Sequence, residues 1–256
     1  MTEKNDVLLK VHLDPVYVSV VTSFAEESAK AFGLDRENAL KLTLACEEIF
    51  TYLCGIDGEG KPLKIKVSNG VYFVQAMIVC ESARFDPKAF NLTAGMSGKD
   101  EAELEDMGLL IASRSVDRFG IFRTSGDLIE VVLIKEKSYP EMPGIEMTEV
   151  KPLKDINIRV PDSEMLKLFA RQVVSVYPDN LYPAAFRFPG KLADMAVSGE
   201  YNAILAVDNQ GTIGGGAIWH HWRAAGKKVV ECYGPYLFNQ MPESGIAEKL
   251  IDELIG

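Results

Sequence analysis

The chain has no run of eighteen apolar residues, which removes a membrane-spanning helix from the possibilities. Its opening residues, Met1-Thr2-Glu3-Lys4-Asn5-Asp6, lack the apolar core of a secretion signal, so the expected location is cytoplasmic. Cysteine is scarce, four in 256 residues, and no two fall in a C-x-x-C pair. Cys46, Cys54, Cys80 and Cys232 stand in apolar stretches, the pattern of reduced, buried thiols rather than of a disulfide framework or a metal site. Positive charge is also short: 27 Lys and Arg face 37 Asp and Glu, a net charge of −10. A nucleic-acid partner needs a basic face, and this balance argues against one. There is no internal repeat and no low-complexity tract. The adjacent pair in Trp219-His220-His221-Trp222 cannot share a metal, because neighbouring strand residues point to opposite faces.

What is present is the composition of a soluble globular protein, 47% hydrophobic and 25% charged, with length for one large domain or two ordinary ones. The stretch from Lys135 to Lys154 carries three prolines, one glycine and many charges. That is linker composition, and it divides the chain into 1–137, a linker at 138–154, and 155–256.

The first half reads as β-α-α-β-β-loop-α-β-β. Val7–Leu13 has strand composition, and Asp14-Pro15 opens a helix with the acid as cap. Val16, Val20, Phe24, Ser28 and Phe32 mark its expected apolar face, and Gly33 ends it. Asp35 caps a second helix with Leu42, Ala45, Cys46, Ile49 and Leu53 as its buried stripe. Glu47 and Glu48 on that helix point about 100° apart, so one can face a site while the other faces water. Strands at Leu63–Val67 and Val71–Val79 flank an expected turn at Ser68-Asn69-Gly70. After a long irregular stretch, Met107–Val116 reads as a short helix. Phe119–Thr124 and Leu128–Lys135 form a hairpin around Ser125-Gly126-Asp127. This order predicts an α+β sandwich, with helices on one face of a mostly antiparallel sheet.

This order, with Leu42–Leu53, Phe85-Asp86-Pro87, Gly108-Leu109-Leu110-Ile111 and Ser115-Val116-Asp117, resembles the anti-sigma-factor serine kinases. They belong to the histidine-kinase-like (GHKL) ATPases, whose nucleotide domain is the Bergerat-type α/β sandwich. The resemblance covers roughly residues 5–137. In that family a Glu orients or deprotonates the attacking group, and an Asn four residues later, on the same helix face, holds Mg²⁺ against the phosphates. The first position here is Glu48 and the second is Tyr52, whose phenol is a poor Mg²⁺ ligand. The adenine-binding D-x-G-x-P segment corresponds to Cys80, Ser82 and Arg84, and a thiol does not replace a carboxylate as an acceptor. The family's G-x-G-L at a helix start, whose N–H groups hold phosphates, corresponds to Asp106-Met107-Gly108-Leu109. An acid at Asp106 repels phosphate. Glu48 and Gly108 are kept while Tyr52, Cys80, Ser82 and Asp106 depart, which argues against Mg-ATP as a cofactor. Glu48 is then either a catalytic carboxylate or an ordinary helix acid. Arg84 and Arg114 read as solvated surface residues.

The second half reads as β-α-α-β-β-β-α. A strand at Ile156–Val160 leads to a helix capped by Asp162 or Ser163, with Met165, Leu168, Phe169, Gln172, Val173 and Val176 at helical spacing. Tyr177–Pro189 is an aromatic, Pro-rich loop and Lys191–Val197 a short helix. Strands are expected at Ile204–Asp208, Ile213–His220 and Val229–Tyr236, and a helix at Ser244–Ile255 with Ile246, Leu250, Ile251 and Leu254 inward. With Tyr201–Asp208, Gly211–Gly216 and Gly245–Leu250, this order resembles the first two-thirds of a GNAT-family N-acyltransferase, a partial version with a mixed α/β sheet. In that family a Q/R-x-x-G-x-G/A segment at a helix N-terminus grips the coenzyme A pyrophosphate. Gln240, Gly245 and Ala247 fit it, whereas Pro242 and Glu243 depart, and an acid there opposes acetyl-CoA binding. The family core adds further strands and a helix, so either the chain is cut short or another chain completes the sheet. The resemblance makes Glu231 a candidate general base acting through water. Its plainer reading is a rim residue paired with Lys227 or Lys228.

Together these resemblances imply a bacterial-type cytoplasmic regulatory protein that acts by protein binding, with a degenerate ATP site and a partial acetyltransferase-like domain. The implied partner is a sigma factor or its antagonist, and homodimers are usual in that family. Two other classes stay open: a working Mg-ATP serine kinase using Glu48, and an acyl-CoA-dependent N-acetyltransferase with a regulatory N-terminal domain.

Overall fold

A computed structural model describes residues 5–57, 60–82, 84–85, 101–124, 126–142, 153, 155–224, 227–238 and 245–255. The chain is α+β and divides into two compact units, Met1–Ser138 and Tyr139–Gly256.

The first unit has five antiparallel strands in the order β1-β2-β3-β5-β4. They are β1 (Asp6–His12), β2 (Pro62–Asn69), β3 (Phe73–Glu81), β4 (Arg118–Arg123) and β5 (Leu128–Glu136). Leu63-Lys64-Ile65-Lys66-Val67 shows why one face is dry: alternate side chains point opposite ways, so the aliphatics are buried and the lysines are not. Val74, Ala76, Ile78 and Cys80 of β3 and Ile129, Val131 and Leu133 of β5 continue that face. Against it pack α1 (Val18–Ala31), α2 (Arg36–Asp57) and α3 (Glu101–Ser115) in one core. The expected stripe of α2, Leu42, Ala45, Cys46, Ile49 and Leu53, is fully buried. Lys135, nearly buried at the end of β5, meets Asp117 at 3.0 Å, and Asp117 also accepts the Glu136 N–H at 2.7 Å.

Three expectations need correction here. Asp14 caps a 3₁₀ turn, Pro15–Tyr17, by accepting the Val16 N–H, and α1 begins only at Val18. Within α1 the face turned to the core is the neighbouring one, with small side chains that allow close packing: Val21, Ala25 and Ala29 are buried, while Val16 and Val20 are exposed. Ser68 and Asn69 belong to β2, and the turn follows at Gly70, whose N–H donates to the Phe73 carbonyl at 2.9 Å. Tyr72 in that turn is fully buried, and its hydroxyl accepts from Arg118. Burying this ring outweighs the shorter Asn-Gly turn. Finally, α3 begins at Glu101, so it is longer than the short helix expected.

The second unit has an antiparallel sheet in the order β6-β7-β8-β9: Asn157–Arg159, Tyr201–Val207, Ile213–Ala224 and Lys227–Leu237. Phe169 of α4 (Ser163–Val176) packs on one face with Phe186, Tyr236 and Phe238. The helix α5 (Pro189–Val197) buries Leu192 and Ala193. Ile246 and Leu250 of α6 (Ile246–Ile255) cover the other face with Ile204, Ala206 and Ala217. Asp162 is the cap of α4, accepting the Met165 N–H at 2.8 Å. The buried face of α4 is Leu166, Phe169, Ala170 and Val173, whereas Leu168 and Val176 are exposed. Ile251 of α6 is likewise exposed rather than inward. The Pro-rich loop contains two 3₁₀ turns, Asp179–Leu181 and Ala184–Arg187, the second burying Phe186.

Gly214-Gly215-Gly216 in β8 answers to packing. A Cβ at Gly216 would lie 2.4 Å from Leu205 Cδ2 and 2.8 Å from the Ile204 carbonyl; one at Gly215 would lie 2.5 Å from the Tyr236 carbonyl. No side chain fits at either position without movement of backbone.

Candidate functional site

On α2, Glu48, Thr51, Tyr52 and Gly55 recur at i, i+3, i+4 and i+7 and share one face. With Cys54, Pro15 and Val18 they line a cavity of about 440 Å³. Glu48 is the acid in its wall. Burial, and then the charge of Glu47, hold its carboxyl above the usual carboxylate range. Its Oε2 lies so close to α3 that a Cβ at Gly108 would be 2.3 Å away. Glu48 and Gly108, the two kept positions, are thus in contact. Their arrangement differs from the one the resemblance implies. Gly108 lies inside α3, seven residues past Glu101, where backbone N–H groups are committed to the helix and none is free for a phosphate.

Tyr52 is nearly buried and meets Phe85 edge-to-face, with ring centroids 5.8 Å apart. Ser82 is fully buried; its Oγ accepts the Phe85 N–H at 3.1 Å and its own N–H donates to the Asp127 carbonyl at 2.8 Å. Ser82 therefore closes a turn that seats Phe85, and Phe85 seats Tyr52. Cys80 is buried within β3, opposite Leu63 and Ile129. Cys80 and Ser82 do not line the cavity. Arg84 donates to the Ile56 carbonyl at 3.2 Å. The side chain of Asp106, and Asp86 and Pro87, lie outside the described residues.

In the second unit, Glu231 stands opposite His220 across β8 and β9, and His220 stands opposite Tyr201 across β7 and β8. One Glu231 oxygen meets His220 Nε2 at 2.9 Å and the other accepts the Tyr233 hydroxyl at 2.7 Å. The Tyr201 and His220 rings are 5.2 Å apart, and His220 stacks on Tyr233 at 6.3 Å. The expected pairing of Glu231 with Lys227 or Lys228 falls on side chains outside the described residues; the strand register puts His220 directly across from Glu231. The Tyr233 hydrogen bond and then that of His220 hold the Glu231 carboxyl below its usual range. Burial and the same Glu231 contact push the Tyr233 hydroxyl up. Such a pair orients an imidazole for proton transfer. Gly245, at φ +61°, immediately precedes α6, and Ala247 lies in its first turn; Gln240, Pro242 and Glu243 lie outside the described residues.

The residue types pointed to Glu48, Tyr52 and Glu231. They did not reveal Pro15 and Val18 as walls of the first cavity, nor the row Tyr201–His220–Glu231. The i+3 and i+7 positions of α2 could have supplied Thr51 and Gly55. The row needed the strand register, which shifts at Gly216/Ile218. None of the four cysteines is in a disulfide; Cys46 and Cys80 are buried, but Cys54 is half-buried and Cys232 exposed, against the expectation of four buried thiols. Among the described residues no cluster of His, Cys, Asp and Glu could hold a metal ion, and no helix is long and apolar enough to cross a membrane.

No family model and no curated protein matches the chain. Part of it is similar to the crystal structure of an acetyltransferase from Trypanosoma brucei, with 17% identity and a TM-score of 0.31 over 40% of this chain and 72% of that one.

Proposed function

We propose that this chain is a cytoplasmic regulatory protein that works by binding another protein through its first unit, and that the nucleotide site of the family this unit resembles is closed. The contact of Glu48 with Gly108 inside α3 carries the reading. A carboxylate occupies the approach a phosphate would need, and no free N–H is offered there. Tyr52, packed edge-to-face on Phe85, is at the sequence position that the resemblance gives to the metal-holding amide. Exposed apolar residues lie outward on α1 and α2: Val20 on α1, Leu40 and Leu44 one turn apart on α2, and Val16 in the 3₁₀ turn before α1. A sigma factor or its antagonist is the partner class that the resemblance implies.

Two measurements test this. A thermal melt with millimolar Mg-ATP should leave the midpoint unchanged, since a ligand at about one hundred times its Kd adds roughly 2.7 kcal/mol and moves it by degrees. Binding to purified sigma factors and antagonists should be lost in Val20→Glu and Leu44→Glu. Stabilisation by Mg-ATP, or wild-type chain that binds none of these partners, refutes the reading.

The His220–Glu231–Tyr233 contacts favour a second reading, an acyl-CoA-dependent transferase in the second unit with Glu231 and His220 moving the proton. Stabilisation by acetyl-CoA, with turnover abolished in Glu231→Gln, is its signature.

A further inference from the structure

Strand β7 is longer than the strand beside it. Only Leu205, Ala206 and Val207 pair with β6, opposite Arg159, Ile158 and Asn157. Tyr201–Ile204 have β8 along one side and, among the described residues, no strand along the other. Beyond Arg159 the chain passes through Val160-Pro161 into α4. The space left is a cavity of about 440 Å³ between the start of α4, the end of α5 and the uncovered part of β7. Its floor includes Leu166 and Ala203, both buried. Its lips are Val160, 78% exposed, and Val197, 65% exposed, aliphatic side chains left in water at the mouth of an apolar space. Among the described residues Asp162 is the one charged residue of its lining.

These features define an occupant. An open strand edge presents unpaired backbone groups, which an extended backbone satisfies. Four residues at about 3.3 Å each offer an edge of about 13 Å. The floor suits an aliphatic side chain, and alternate residues of an added strand point the same way. The lone acid at the rim suits a cation. We propose that the open edge of β7 at Tyr201–Ile204 receives an extended segment of a partner protein, seating an aliphatic side chain in the cavity and placing Lys or Arg beside Asp162. This site is in the second unit and shares no residue with the Glu48 cavity or the α1–α2 surface, so its failure leaves the proposal above standing.

The test is selection of a phage-displayed random heptapeptide library on the full chain, with Ala196→Phe, which fills the cavity, as counter-selection. Enriched sequences should alternate aliphatic residues and carry Lys or Arg. As synthetic fluorescent peptides they should lose at least tenfold in affinity when alternate backbone amides are N-methylated, which blocks strand pairing but keeps the side chains. Asp162→Asn, which preserves the helix cap, should remove the enrichment for Lys and Arg. Absence of enrichment over Ala196→Phe overturns the proposal. So does a peptide indifferent to N-methylation, which would mark the cavity as a pocket for an isolated side chain or small molecule. Should Ala196→Phe not fold, selection on the wild-type chain followed by the N-methylation arm decides alone.

Discussion

Replacing Gly108 by Ala should reveal whether Glu48 is wedged against α3. In a helix interior Gly costs about 1 kcal/mol relative to Ala, so the change would ordinarily stabilise. Here the added methyl would lie 2.3 Å from Glu48 Oε2 and 3.4 Å from its Cδ. The far end of a flexible side chain can move, so the strain should sit near the bottom of the 1–3 kcal/mol range for overpacking, about 1 kcal/mol. The two terms then nearly cancel in the wild-type background. In Glu48→Ala the wedge is gone, and Gly108→Ala should gain the full ~1 kcal/mol. Native-state hydrogen exchange of α2 and β5 amides measures this within the first unit. Both tryptophans, Trp219 and Trp222, belong to the second unit, so an unchanged fluorescence melt is the internal control. A Gly108→Ala gain that is the same in both backgrounds would refute the wedge and reopen the Glu48 site to a ligand.

Glu48→Gln should raise the midpoint of the first unit at neutral pH: a carboxyl whose folded pKa is raised is stabilising when protonated and costs stability as pH rises through that value, so the gain should vanish in acid. Tyr52→Asn with Cys80→Asp should confer a thermal shift with Mg-ATP only if Gly108 sits at a free helix end; no shift is expected, and a gain would contradict the placement of Gly108 inside α3. Iodoacetamide labelling followed by mass spectrometry should modify Cys232 first and Cys46 last, because burial pushes the Cys46 thiol up to about 12 and the Cys54 thiol up to about 11. Tyr233→Phe should raise the pKa of Glu231, read by NMR, since the lost hydroxyl is the largest influence holding it down.

Much of this fold was legible because local chemistry and tertiary packing agree. Leu63–Val67 alternates so cleanly that its inward face follows from pleat geometry alone. The α2 stripe recurs at helical spacing over three turns, and Asp162 caps as its side chain dictates. Two neighbouring faces of α1 are both apolar enough at helical spacing to compete, and the structure buries Val21, Ala25 and Ala29; the buried Tyr72 moves a turn. The site was legible where one helix presents it and illegible where separate elements meet. Glu48 and Tyr52 share a helix face, but Pro15 comes from more than thirty residues earlier. Gly108 stands out in the sequence, yet its meaning depends on α3 beginning at Glu101, seven residues before it. Tyr201, His220 and Glu231 become neighbours only once three strands find their register.

The glycine run of β8 bears on the order of assembly. A strand segment without side chains brings no hydrophobic contact of its own to an early folding intermediate. The hollow it leaves at Gly216 is filled by Leu205 and Phe169, and the one at Gly214 by Leu153 and Ile246. Those residues come from parts of the chain up to nearly a hundred positions apart, and they must be in place before β8 gains from lying beside them. We therefore expect Gly214–Gly216 to be among the last amides of the second unit to gain protection in pulse-labelling during refolding, after α4. Protection there ahead of α4 would show that backbone pairing alone recruits the strand.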